Sequence, residues 1–169
     1  MNTKRLTFLA VLTAAALGIF IIEAQIPPLA PIPGIKLGLA NVITLWALYA
    51  LGARDAGLVL AARILLGALF AGSATALLYS AAGGALCFGL QLLLKRAAGE
   101  KNIWALGVLG AVAHNAGQLV CAAAVTGSAA VFAYAPVLTA SACATGLFTG
   151  LIANALYGRL KDTRIMRGL

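Results

Sequence analysis

The residues able to recognise a molecule are few and concentrated. The stretch GAVAHNAGQLV, residues 110–120, holds the one histidine, His114, with Asn115 beside it and Gln118 four positions on. On a helix His114 and Gln118 share a face, and Asn115 lies one turn from Gln118, so the three form a polar stripe rich in donors and acceptors. Arg63 stands in the middle of another apolar run, Asn41 about a turn into a second, Tyr79 in a third, and Lys36 shortly before Asn41. An imidazole, two amides and two cations in such surroundings equip a chain to bind an anionic, hydrogen-bonding molecule. Each also has a plainer reading. Buried Asn, Gln and His serve as hydrogen-bond glue between helices, and Arg63 has a structural partner available in Glu23, the one acid near that depth. Yet Glu23 faces both Lys36 and Arg63, which leaves positive charge over.

Catalytic chemistry finds little support. The acids are Glu23, Asp55, Glu100 and Asp162, and no two are close in sequence. Metal-dependent prenyl transfer needs clustered carboxylates for a divalent cation and its diphosphate. There is no HExxH, nucleophile elbow or Walker A sequence, so neither an intramembrane protease nor an ATPase is indicated. Cys87, Cys121 and Cys143 are far apart with no CxxC, which reads as buried inert thiols rather than a metal or redox pair. The expectation is a protein without catalytic residues, metal or cofactor.

The positioning elements follow from composition. Of 169 residues 63% are hydrophobic and 9% charged, against about 45–50% and about 25% in soluble domains. The bilayer is therefore the main solvent, and residues 1–169 read as one integral membrane domain. Six apolar runs predict spans over about 6–26, 35–51, 56–71, 74–94, 103–126 and 136–157, each near the ~17–25 residues a crossing needs. The prolines of PPLAPIP predict an extended loop over 27–33, and a Gly72–Ser73 turn separates the third and fourth runs. The first run is longer than a signal-peptide core and lacks a small-x-small cleavage site, so it reads as retained.

A net charge of +8 would suggest nucleic acid in a soluble protein, but no aromatic-basic interleaving supports that. The cations set topology instead. With the N-terminus inside, Lys4, Arg5, Arg54, Lys95, Arg96, Lys101, Arg159, Lys161, Arg164 and Arg167 fall on the inner side and only Lys36 on the outer. That bias places both termini in the cytoplasm. Polar residues cluster at mid-depth and toward the outer side, the pattern of a pocket open outward and closed below; a pore would be polar throughout.

Ala10, Ala14 and Gly18 form a small-xxx-small ridge on the first helix, suited to close approach by another helix. GIKLGLANVITLWALY (34–49), RILLGALFAG (63–72), LLYSAAGGALC (77–87) and GAVAHNAGQL (110–119) together resemble the Gx transporter family, also labelled heptaprenyl diphosphate synthase component I. That family is similar to the substrate-binding S components of energy-coupling factor (ECF) transporters, and the resemblance runs from about residue 6 to 157. It implies an all-α six-helix membrane bundle of S-component type in a bacterial cytoplasmic membrane. It also implies a vitamin-like, flavin or quinone-precursor substrate captured at the outer face, with a gate over 27–33. A transmembrane coupling protein would dock on Ala10 and Ala14, and an ATPase pair would drive it. The alternatives are a non-catalytic accessory subunit for prenyl diphosphate or quinone synthesis, and a purely structural oligomer.

The charge asymmetry makes a direct prediction. An impermeant thiol reagent added outside intact cells labels Ser128→Cys and not Ala98→Cys; the opposite pattern rejects the six-span orientation.

Overall fold

The computed structural model describes residues 3–25, 38–72 and 74–163; Lys36, the loop over 27–33, Ser73, Arg164 and Arg167 lie outside the described residues. Apolar runs without internal proline become helices because a bilayer offers backbone groups no partner but the chain itself. Six α-helices result among the described residues: α1 (Thr3–Gln25), α2 (Ala40–Ala50), α3 (Ala53–Ala71), α4 (Ala74–Ala98), α5 (Ile103–Thr126) and α6 (Ala135–Leu160). A 3-10 turn, Ala129–Tyr134, precedes α6, and no strand occurs among the described residues. The all-α expectation and the count of six hold. Helices α1, α4, α5 and α6 are long and apolar enough to cross a membrane, so the chain is a multi-pass membrane protein.

The remaining two helices differ from the expected spans for separate reasons. At 11 residues, α2 reaches about 16 Å, roughly half the ~30 Å hydrocarbon thickness. Ala40, Val42, Thr44, Leu45, Trp46, Ala47 and Leu48 are all buried, so α2 is an interior helix that needs no full crossing. By contrast α3 has the length but carries Arg54, Asp55 and Arg63. The break between them is Gly52, whose φ of 95° suits a residue without a Cβ.

Consecutive helices alternate in direction, and polar contacts gather at one end of the bundle. There Arg5 pairs with Asp55 at 2.7 Å and Lys161 with Glu100 at 3.0 Å. Lys95 Nζ donates to Leu48 O at 2.7 Å, closing an otherwise unmet carbonyl at the end of α2. Tyr157 donates to Glu100 at 2.8 Å. The Lys161 and Tyr157 hydrogen bonds hold the Glu100 carboxyl below its ordinary range, and Glu100 raises Lys161 in return. Above these contacts lies the apolar core, where Trp46, Ala47, Leu48 and Ala56 pack together beside a second cluster of Val42, Leu45, Ile103, Leu106 and Ala153.

Lipid tails give little hydrophobic drive between helices, so close backbone approach must hold the bundle. Glycines permit it on both sides of α5. A methyl placed on Gly107 would lie 2.6 Å from Gly146 O, and one on Gly146 would lie 2.7 Å from Val108 Cα. On the other side, a methyl on Gly117 would lie 2.6 Å from Ala82 O. In α1 the small residues behave differently: Ala10 and Ala14 are exposed, and a methyl on Gly18 would meet nothing within 4 Å. The α1 ridge therefore faces outward while the α5 glycines knit the interior.

Gly107→Leu should destabilise the purified protein by the order of 1–3 kcal/mol or more through overpacking. Gly89→Leu, where a methyl meets nothing within 4 Å, should leave the thermal midpoint unchanged. Equal midpoints for both variants would contradict the close α5–α6 packing.

Candidate functional site

A cavity of about 60 Å³ lies between the six helices, on the side of the bundle core away from the basic end. It is lined by Phe20 and Glu23 from α1, Gly38, Ala40 and Asn41 at the start of α2, and Arg63 from α3. Ser80 comes from α4, Ala111, His114, Asn115 and Gln118 from α5, and Thr145 from α6. Five of the residues singled out in the sequence, Asn41, Arg63, His114, Asn115 and Gln118, thus meet around one space. Lys36 falls outside the described residues.

The helices deliver these side chains by simple periodicity. His114 and Gln118 share the α5 face that looks into the cavity, and Ala111, one turn earlier, leaves the space open. Gly83 lets α5 come close enough to seat His114, since a methyl there would lie 2.9 Å from the imidazole and from His114 O. Asn115 donates to Leu138 O at 3.0 Å, tying α5 to α6, so its amide both supports the wall and lines it. Thr145 satisfies its hydroxyl proton on Ser141 O at 3.0 Å within its own helix.

Arg63 is 6% exposed. Its terminal nitrogen reaches Asn41 Oδ1 at 3.4 Å, a long hydrogen bond, and its Nε is buried without a hydrogen-bond partner among the described residues. The expected alternative, a structural pair with Glu23, is absent: the ion pairs among the described residues are Arg5–Asp55 and Lys161–Glu100. Glu23, 7% exposed, accepts instead from Gly38 N and, at 3.1 Å, from Leu39 N. A carboxylate at the start of a helix meets its free N–H groups and the positive end of its dipole. Glu23 is thereby engaged by α2, and a buried guanidinium remains with donors to spare.

Tyr79 is not part of this lining. It lies in a neighbouring apolar pocket of about 250 Å³, formed with Gln118, Leu119, Ala122, Thr126, Val131, Tyr134 and Leu138. Its neighbour Ser80 takes the place in the polar cavity. The signal that distinguishes them is the small-residue face of α4: Ser80 is three and four residues before Gly83 and Gly84, the glycines that close on neighbouring helices, whereas Tyr79 is turned about 100° away. Phe20 and Gly38 carried no such signal.

Residues 12–156 match the family model described as heptaprenyl diphosphate synthase component I. The chain belongs to that family. Neither a curated protein nor a solved structure gives a match. Every residue lining the polar cavity falls within the stretch shared with heptaprenyl diphosphate synthase component I, whereas Ala10 precedes it.

Gln118→Ala and His114→Ala separate ligand binding from helix glue. Losing a hydrogen bond to a bound ligand leaves its partner unmet at about 1–3 kcal/mol, so affinity for a copurifying compound should fall roughly tenfold or more while the melting temperature holds. Preserved affinity with a lowered melting temperature would make the stripe structural.

Proposed function

We propose that this chain is the substrate-binding membrane subunit of an ECF-type transporter, an S component. It takes up a small molecule bearing an anionic group from the outer face of a cytoplasmic membrane. The supporting observation is Arg63: a buried cation whose Nε has no protein partner among the described residues, set in a cavity with His114, Asn115 and Gln118. Burying a charge without an ion-pair partner costs several kcal/mol per ion, and an anionic group entering the cavity offsets that cost. In this reading both termini are cytoplasmic and the whole chain is one membrane domain.

The substrate class remains vitamin-like or a flavin or quinone precursor. The subunit is non-catalytic. Three of its four acids have structural duties far from one another: Glu23 at the start of α2, Asp55 with Arg5, and Glu100 with Lys161 and Tyr157. The ridge of Ala10, Ala14 and Gly18 on α1, exposed at both alanines, is the surface offered to a coupling protein, with an ATPase pair behind it. One observation favours a second reading. The family description names a component of heptaprenyl diphosphate synthase, which fits a non-catalytic accessory subunit working with a prenyl-transferring partner.

Affinity purification in mild detergent, followed by mass spectrometry of proteins and small molecules, decides between the two. The transporter reading expects a coupling protein with two ATPases, lost in Ala14→Trp while the bound small molecule is retained. Recovery of a prenyl-transferring subunit instead, unaffected by Ala14→Trp, would replace it with the accessory reading.

A further inference from the structure

The polar cavity is too small for the molecule it is proposed to serve. Small-molecule sites usually enclose about 300–1,000 Å³, whereas the space beside Arg63 is about 60 Å³. That is room for a charged group and little else. The apolar pocket next to it, about 250 Å³, supplies the missing volume, and the two spaces share a wall. Gln118 lines both. On α4, Ser80 lines the first and Tyr79, the adjacent residue, the second. Asn115, in the polar wall, holds Leu138, in the apolar wall, by its 3.0 Å hydrogen bond.

The chemistry of the two halves differs sharply. One presents a guanidinium, an imidazole, amides and the Glu23 carboxylate, whose oxygens are already engaged by Gly38 N and Leu39 N. In the other, Gln118, Ala122 and Thr126 recur every fourth residue along one face of α5, and Thr126 turns its hydroxyl proton onto Ala122 O at 2.7 Å. Leu119, Leu138 and Val131 complete an apolar surround. The geometry points to one composite site for an anionic amphiphile. The negatively charged head sits against Arg63, and the apolar body passes Gln118 into the pocket between α4, α5 and the 3-10 turn. This rests on the polar cavity being a binding site and extends it by naming the ligand class.

The test uses the full chain in nanodiscs of phosphatidylcholine, with saturable binding of radiolabelled decyl phosphate as the readout. Wild type should bind decyl phosphate about tenfold or more tightly than either decanol or inorganic phosphate, judged by competition. Ala122→Phe, which fills the apolar pocket, should weaken decyl phosphate by a similar factor and leave inorganic phosphate unchanged. Arg63→Gln should abolish the preference for decyl phosphate over decanol. If Arg63→Gln acts and Ala122→Phe does not, the composite site is wrong and the polar cavity alone stands. If neither acts, both readings fall. Should Arg63→Gln not fold, equal competition by decanol and decyl phosphate in wild type overturns the inference by itself. Adding phosphatidylglycerol to the discs separates sources: lost binding identifies a bilayer lipid as occupant and unchanged binding a solute, each within the anionic-amphiphile class.

Discussion

A guanidinium buried among six helices is the constraint around which this molecule is organised. Placing a charge at mid-bilayer costs on the order of 2.5–3.5 kcal/mol on insertion scales, and Arg63 is 6% exposed with no carboxylate in ion-pair contact among the described residues. Its surroundings respond to that charge. The start of α2 stops at the depth of Arg63, so that Asn41 reaches it. Glu23, the nearest acid available, caps that helix start rather than neutralising the cation. The imidazole and amides of α5 complete a polar chamber.

The chamber needs rigid walls, and these come from glycine rather than from large apolar side chains. Along α5, Gly107 and Gly117 bring backbone against α6 and α4, and the same helix carries His114, Asn115 and Gln118. The residues that set the helix spacing and those that line the site therefore alternate on one element. At the opposite end, Lys95 closing the Leu48 carbonyl of α2, with the Arg5–Asp55 and Lys161–Glu100 pairs, fixes the helix ends. The ion pairs close one end of the bundle, and the candidate site lies on the side of the core away from that end, beside the α5 glycines.

Much of this was legible in the residues, and the exceptions have physical causes. Helices α4 and α5 follow from uninterrupted apolar runs flanked by polar loops, and the His114–Asn115–Gln118 stripe from helical spacing alone. The brevity of α2 was not, because an apolar run of 35–51 looks the same whether lipid or protein surrounds it. Only the burial of Trp46, Ala47 and Leu48 on all sides reveals an interior helix. Tyr79 stood out as a polar group in an apolar run, whereas it is Ser80, on the α4 face of Gly83 and Gly84, that lines the polar cavity. The alternative pairing of Glu23 with Arg63 rested on charge alone. Backbone N–H groups at a helix start compete for carboxylates as well as cations do, and they carry no mark in the sequence.

The central claim is that Arg63 holds an anionic group from outside the protein, and the guanidinium itself can report on it. With arginine labelled in 15N, the Nε–H resonance missing from an Arg63→Lys sample belongs to Arg63. On adding decyl phosphate to the nanodisc-embedded protein that resonance should shift and its exchange with water should slow, as a hydrogen bond forms at a nitrogen that otherwise has no protein partner among the described residues. A resonance that stays in place at saturating decyl phosphate, or that is already fully protected in ligand-free protein, would contradict the claim.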